Sequence, residues 1–133
     1  MTINNMDQYI KSLWDWAFLD KCFRYGIKVT DIDGCVERKH NLLFLETKLP
    51  KVKIPYGQQR LFTNLAMYHH VIIIWGEKNI PEKVKLMGVE LFGRGKIIKP
   101  CNIEDIQYNI KKWFLWADKN PFCDRYEFIG KDI

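Results

Sequence analysis

Apolar positions along the chain change their period several times, and each change predicts an element. From Asn5 to Arg24 the residues Met6, Ile10, Leu13, Trp14, Ala17, Phe18 and Cys22 recur at intervals of three and four. That stripe predicts an amphipathic helix packed on a sheet. Asn4 or Asn5 can cap its start, and Tyr25-Gly26 ends it, with Gly26 suited to the left-handed C-cap conformation. The pattern then shortens to that of strands. Two runs rich in β-formers, Ile27-Lys28-Val29-Thr30 leading into Asp31-Ile32-Asp33 and Leu42-Leu43-Phe44-Leu45-Glu46, flank the polar Arg38-Lys39-His40-Asn41. This is a hairpin signal.

Leu49 to Pro55 follows as an extended basic segment, since Pro50 and Pro55 oppose a helix there. Gly57 then opens a second amphipathic helix, Gln58 to about His70, with Leu61, Phe62, Leu65 and Met67 as its core candidates. His69-His70 falls at the predicted helix end, where a cationic side chain suits the dipole. Neighbouring helical residues diverge too far to ligate one ion. Val71 to Trp75 is continuously apolar, as in a strand covered on both faces. Asn79-Ile80-Pro81 predicts a turn, and Val84–Phe92 with Lys96–Ile98 a second hairpin around Gly93-Arg94-Gly95. Asn102 caps a last helix, Ile103 to about Ala117, striped by Ile106, Ile110, Trp113, Phe114 and Ala117. The sum is an α/β (α+β) sandwich with a small central mixed β-sheet flanked by helices, residues 1–133 forming a single domain.

Composition narrows the class. A chain of 133 residues can bury a real core in one domain. Its net charge of +5 suits a polyanionic partner without requiring one. Cys22, Cys35, Cys101 and Cys123 have neither zinc-site nor disulfide-frame spacing and are expected to be reduced thiols. The polar start, Thr2, Asn4, Asn5 and Asp7, is unlike a signal peptide, and Val71 to Trp75 is too short to span a membrane. The expectation is a cytoplasmic protein, with no membrane partner. Abundant Lys, Ile and Asn point to an AT-rich genome, phage or bacterial.

The hairpin carries the chemistry. With its turn centred between Lys39 and His40, antiparallel pairing sets Asp33 opposite Glu46 and Asp31 opposite Lys48. All four then point to one face. Three carboxylates crowded with a lysine repel one another unless a proton or a cation intervenes. Oxygen-only ligands suit Mg²⁺, with Mn²⁺ as substitute. A half-solvated polar face, with Lys48 pairing against the acids, is the competing reading. Of the two aspartates, Asp33 is the better metal ligand because it faces Glu46. Gly34 beside it is expected to leave room for a substrate backbone.

Asp33 followed after an interval by Glu46-Thr47-Lys48 resembles the signature of the PD-(D/E)XK nuclease superfamily, although the leading proline is missing. The resemblance covers roughly the first half of the chain. It implies a restriction-endonuclease-like core. It further implies a metal held by Asp33, Glu46 and the Thr47 carbonyl, and catalysis by Asp33, Glu46, Lys48 and Gln58. Gln58 matches the family's glutamine at the start of the second helix better than Gln59. Asp15 could match the acid that the family's N-terminal helix often supplies, or lie on a solvated helix face. Asp31 is a secondary candidate. The implied activity is Mg²⁺-dependent hydrolysis of phosphodiester bonds in a nucleic acid, foremost DNA. A junction resolvase, an RNA-cleaving member or an inactive nucleic-acid-binding module of the same fold are alternatives. Lys51, Lys53, Arg60, Arg94 and Lys96 are candidates for backbone contacts, though Arg94 and Lys96 could equally keep a sheet edge soluble. A homodimer is an assembly that the Trp-rich helices could support.

Overall fold

The computed structural model describes residues 3–88 and 90–122, the side chains of residues 3 and 4 excepted. The chain divides into two compact units, Met1–Asp31 and Ile32–Ile133. Among the described residues no helix is long and apolar enough to cross a membrane.

The first unit departs from the single helix that its apolar spacing predicts. Helix α1 spans Ile3–Ser12, and after a break a 3₁₀ helix spans Trp16–Cys22. The Asp15 carboxylate restarts the chain by accepting a hydrogen bond from the Ala17 N–H at 2.9 Å. Trp14, Trp16 and Phe18 pack on one another, with ring centroids 6.0 to 6.4 Å apart, yet all three stay exposed. A short helix draws its stability mainly from a buried face. The residues of this stripe bury none, so the periodic pattern alone does not hold a long helix together. Residues 27–33, expected as a strand, lie outside the sheet.

The second unit is an α+β fold. Its sheet has five strands, β1 (Gly34–Arg38), β2 (Asn41–Lys48), β3 (His70–Glu77), β4 (Ile80–Gly88) and β5 (Gly93–Ile98), ordered β1-β2-β3-β4-β5. Only β2 and β3 pair in parallel. A parallel neighbour needs a crossover, which α2 (Tyr56–Ala66) supplies. Helix α3 (Ile103–Lys119) follows β5. Asn102 caps it reciprocally: its side chain accepts from the Asp105 N–H at 2.8 Å while the Asp105 carboxylate accepts from the Asn102 N–H at 3.0 Å.

The sheet separates two cores. On one face Phe62 of α2, with Leu61, Leu65 and Ile54, covers Phe44, Val71, Ile73, Trp75 and Met87. On the other, Trp113 and Ala117 of α3 cover Leu43, Ile72, Val84, Leu86 and Phe92. Helices on both faces explain why β3 is apolar without alternation.

Several element ends in the second unit differ from those expected. The second helix starts at Tyr56 and stops at Ala66, so the histidines do not end it. His70 instead opens β3, fully buried against Phe92 and Trp116, while Nδ1 of His69 accepts from the Leu42 N–H at 3.2 Å. Ile80 and Pro81 belong to β4 rather than to a turn; Pro81 sits beside an irregularity where Gly76 is its partner. Any Cβ at Gly76 would come within 2.3 Å of the Ile80 carbonyl oxygen. Gly93, Arg94 and Gly95 lie inside β5, not in the loop before it. The described cysteines, Cys22, Cys35 and Cys101, are free thiols; Cys123 lies outside the described residues.

Candidate active site

The hairpin of β1 and β2 turns on Lys39 and His40, both with positive φ (49° and 70°). Such a pair matches the twist of the flanking strands, as in a type I′ turn. The resulting register pairs Gly34 with Leu45. One step further out, Asp33 therefore faces Glu46. Its carboxylate is fixed there by two donors, the Thr47 N–H at 2.8 Å and the Thr47 hydroxyl at 3.0 Å.

Glu46 shares the α2 face of β2 with Phe44 and is only 3% exposed. Burial, followed by the hydrogen bond and charge of Asp33, pushes its carboxyl up to about 7, despite Lys48 pulling it down. Asp33 moves the other way. The hydrogen bond from Glu46 and those from Thr47 hold it below the usual aspartate value, with help from Lys48. When no cation is present, the two carboxyls are thus pushed apart, Glu46 holding its proton up to about pH 7 and Asp33 giving its own up more readily than usual. Above it, Gln58 of α2 donates through Nε2 to Glu46 at 3.4 Å, and its buried Oε1 has no partner among the described residues. Gln59 points elsewhere, to the Ile54 carbonyl at 3.0 Å.

Lys48, two residues beyond Glu46, is half-buried on the same face and forms no close ion pair among the described residues. On the α3 side, Thr47 and Lys48 border a cleft of about 530 Å³ at the carboxyl ends of β2 and β3, with Ile74, Asn79 and Ile106 among its walls.

Two carboxylates converge rather than three. Asp31 precedes the paired part of the hairpin and accepts from Trp16 Nε1 at 2.8 Å within the first unit. The strand begins only at Gly34, so the expected pairing of Asp31 with Lys48 does not form in the ladder. Asp15 caps the 3₁₀ helix rather than lying along a helix face. Gly34 gives the site no extra room: a Cβ there would touch Leu45 at 3.6 Å, on the other side of the strand from Glu46.

The basic candidates scatter. Lys51 and Lys53 flank Val52, whose carbonyl accepts from Trp75 Nε1 at 2.8 Å, so they stay near the Lys48 end of the sheet. Arg60 lies over the Tyr56 ring at 6.0 Å, and Arg94 borders an apolar hollow with Met67 and Met87. Lys96 pairs with Leu86, which faces α3. Lys96 therefore points away from the face of Glu46 and Lys48. Two lysines absent from the expected set, Lys83 and Lys85, do share that face. Their signal was the alternation Lys83-Val84-Lys85-Leu86.

Among the described residues no group of three or more His, Cys, Asp or Glu side chains could hold a metal. A hard cation needs less from the protein, since Mg²⁺ keeps several waters and takes one or two carboxylates. Asp33 and Glu46 fit that need, and so does the unpartnered Gln58 oxygen. No protein-family model, curated protein or solved structure matches the chain.

Proposed function

We propose that the chain is a metal-dependent nuclease that hydrolyses phosphodiester bonds in DNA. The carrying observation is the buried Glu46 set against Asp33, with Lys48 on the same strand face and Gln58 leaning in from α2. A burial that forces one carboxyl to about 7 is costly to keep as structure alone. It is suited to a divalent cation, which replaces the proton on Glu46.

Asp33, Glu46 and the Thr47 carbonyl would hold Mg²⁺, or Mn²⁺ in its place. When bound, the ion supplies an activated water and neutralises charge building on the phosphate. Thr47 keeps the Asp33 carboxylate oriented through its two hydrogen bonds. Lys48 places a positive charge beside the reacting phosphate, where it orients the attacking water or offsets the developing negative charge. The Gln58 amide can donate to an oxyanion and accept from a water at once. The +5 net charge favours a polyanion as substrate.

The test is cleavage of plasmid DNA, single-stranded DNA and RNA side by side, with Mg²⁺, with Ca²⁺ and with chelator. Cutting of DNA with Mg²⁺ that stops in chelator supports the reading. Undiminished cutting in excess chelator removes its metal mechanism. RNA cleavage in preference to DNA moves the substrate class.

A further inference from the structure

The strand registers line up a row of side chains beyond the site. Lys48 of β2 pairs with Trp75 of β3, and Trp75 pairs with Lys83 of β4. The Lys83 ammonium lies over the Trp75 indole, 4.2 Å from the ring centroid. The indole is itself locked by its hydrogen bond to the Val52 carbonyl, in the segment that carries Lys51 and Lys53. In the neighbouring row Glu46 pairs with Ile73 and Ile73 with Lys85. The Lys85 stem passes over Gly95, where a Cβ would stand 3.1 Å from its Cε.

We infer that Lys83, seconded by Lys85, binds the phosphodiester backbone of the substrate next to the phosphate that meets Lys48. The inference rests on the nuclease reading of Asp33, Glu46 and Lys48 and extends it across the sheet. Neighbouring strands lie about 4.8 Å apart, which sets the Lys48 and Lys83 backbones about 10 Å apart. Flexible lysine side chains can close that span onto successive phosphates of one strand. Neither Lys83 nor Lys85 has an acidic partner within ion-pair distance among the described residues. Lysines kept for solubility favour sheet edges, whereas Lys85 lies in an interior stretch of β4, paired with Ile73 of β3 and Ile97 of β5. Both are half-buried, and Lys83 is held in place by a ring. The Asp33 and Glu46 carboxylates also need cations around them if a phosphate is to approach.

The experiment measures binding apart from cleavage. Duplex DNA, single-stranded DNA and single-stranded RNA oligonucleotides are titrated in chelator, across a salt series, with wild type, Lys83→Ala, Lys83→Arg and Lys111→Ala. Lys111 is an exposed residue of α3 and controls for loss of charge alone. Lys83→Ala is expected to weaken binding about three- to tenfold at low salt and to lower the slope of log affinity against log salt by about 1. Lys83→Arg keeps the slope, and the oligonucleotide most affected identifies the preferred strand. Equal behaviour of Lys83→Ala and Lys111→Ala on all three oligonucleotides overturns the inference. If wild type cuts nothing with Mg²⁺ but Lys83→Ala still loses binding, the nuclease reading fails and the backbone site stands.

Discussion

The two faces of the sheet are built from the same strands and end in different chemistry. The α3 face is filled by Leu43, Ile72, Val84, Leu86 and Trp113, and its hydrogen bonds serve structure. Asn41 at the hairpin donates to the Ala117 and Asn120 carbonyls, and Arg38 bonds the Asp118 carboxylate, closing the end of α3 onto β1 and β2. The α2 face starts out equally apolar at Phe44, Val71 and Phe62, then gives way within one turn of strand to Glu46, Lys48, Lys83 and Lys85. One face thus spends its burial on packing. The other buries a carboxyl and raises its proton affinity, which packing alone does not explain.

Substitutions should separate the faces, and the largest effect falls on the polar one. Asp33→Asn keeps the acceptor for the Thr47 donors but removes the charge. It is expected to abolish Mn²⁺ binding by titration calorimetry and to lower cleavage by about 10³-fold or more. Asp31→Asn, off the ladder, should retain metal affinity near wild type. The reverse outcome would mean that the second carboxylate of the site is Asp31.

On the α3 face, Trp113→Ala should cost about 3–5 kcal/mol in urea unfolding, as a fully buried aromatic does. Any folded protein should keep its metal affinity. Loss of the metal site in folded Trp113→Ala protein would show that the two faces are not separable.

Glu46 makes the polar face sensitive to pH. Its folded pKa lies above the ordinary 4.5, so its contribution to stability is complete below about 4.5 and is lost as pH rises through about 7. Metal-free protein should therefore become less stable between pH 5 and 8, by about 3 kcal/mol at most. Asp33 acts oppositely, losing its contribution only as pH falls below the ordinary 3.8. Glu46→Gln should flatten the decline, measured as urea midpoints in chelator at both pH values. An unchanged decline in Glu46→Gln would place the titrating group elsewhere.

These contrasts also show what the amino-acid pattern could reveal. The facing of Asp33 and Glu46 was legible because period-two alternation and a tight polar turn leave little freedom of register. The α3 cap was equally legible, since Asn102 and Asp105 signal it locally. The break in the N-terminal helix was not. Met6, Ile10, Leu13 and Phe18 keep a helical spacing, but spacing becomes a helix only when another surface buries it, and these residues remain exposed. Pro81 misled for a related reason: a proline that suggests a turn is also admissible beside an irregular pair in a sheet. The place of Lys83 and Lys85 beside Glu46 and Lys48 was not legible, because it depends on which strand becomes the neighbour of β3.

The central claim is that Lys48 acts on the transition state at a metal-dependent site, and its most direct test is single-turnover DNA cleavage by wild type and Lys48→Ala in Mg²⁺. The account predicts cleavage by wild type and a loss of about 10²–10³-fold or more in the variant. Unfolding midpoint and DNA affinity should stay close to those of wild type. Cleavage by purified Lys48→Ala at the wild-type rate would contradict it.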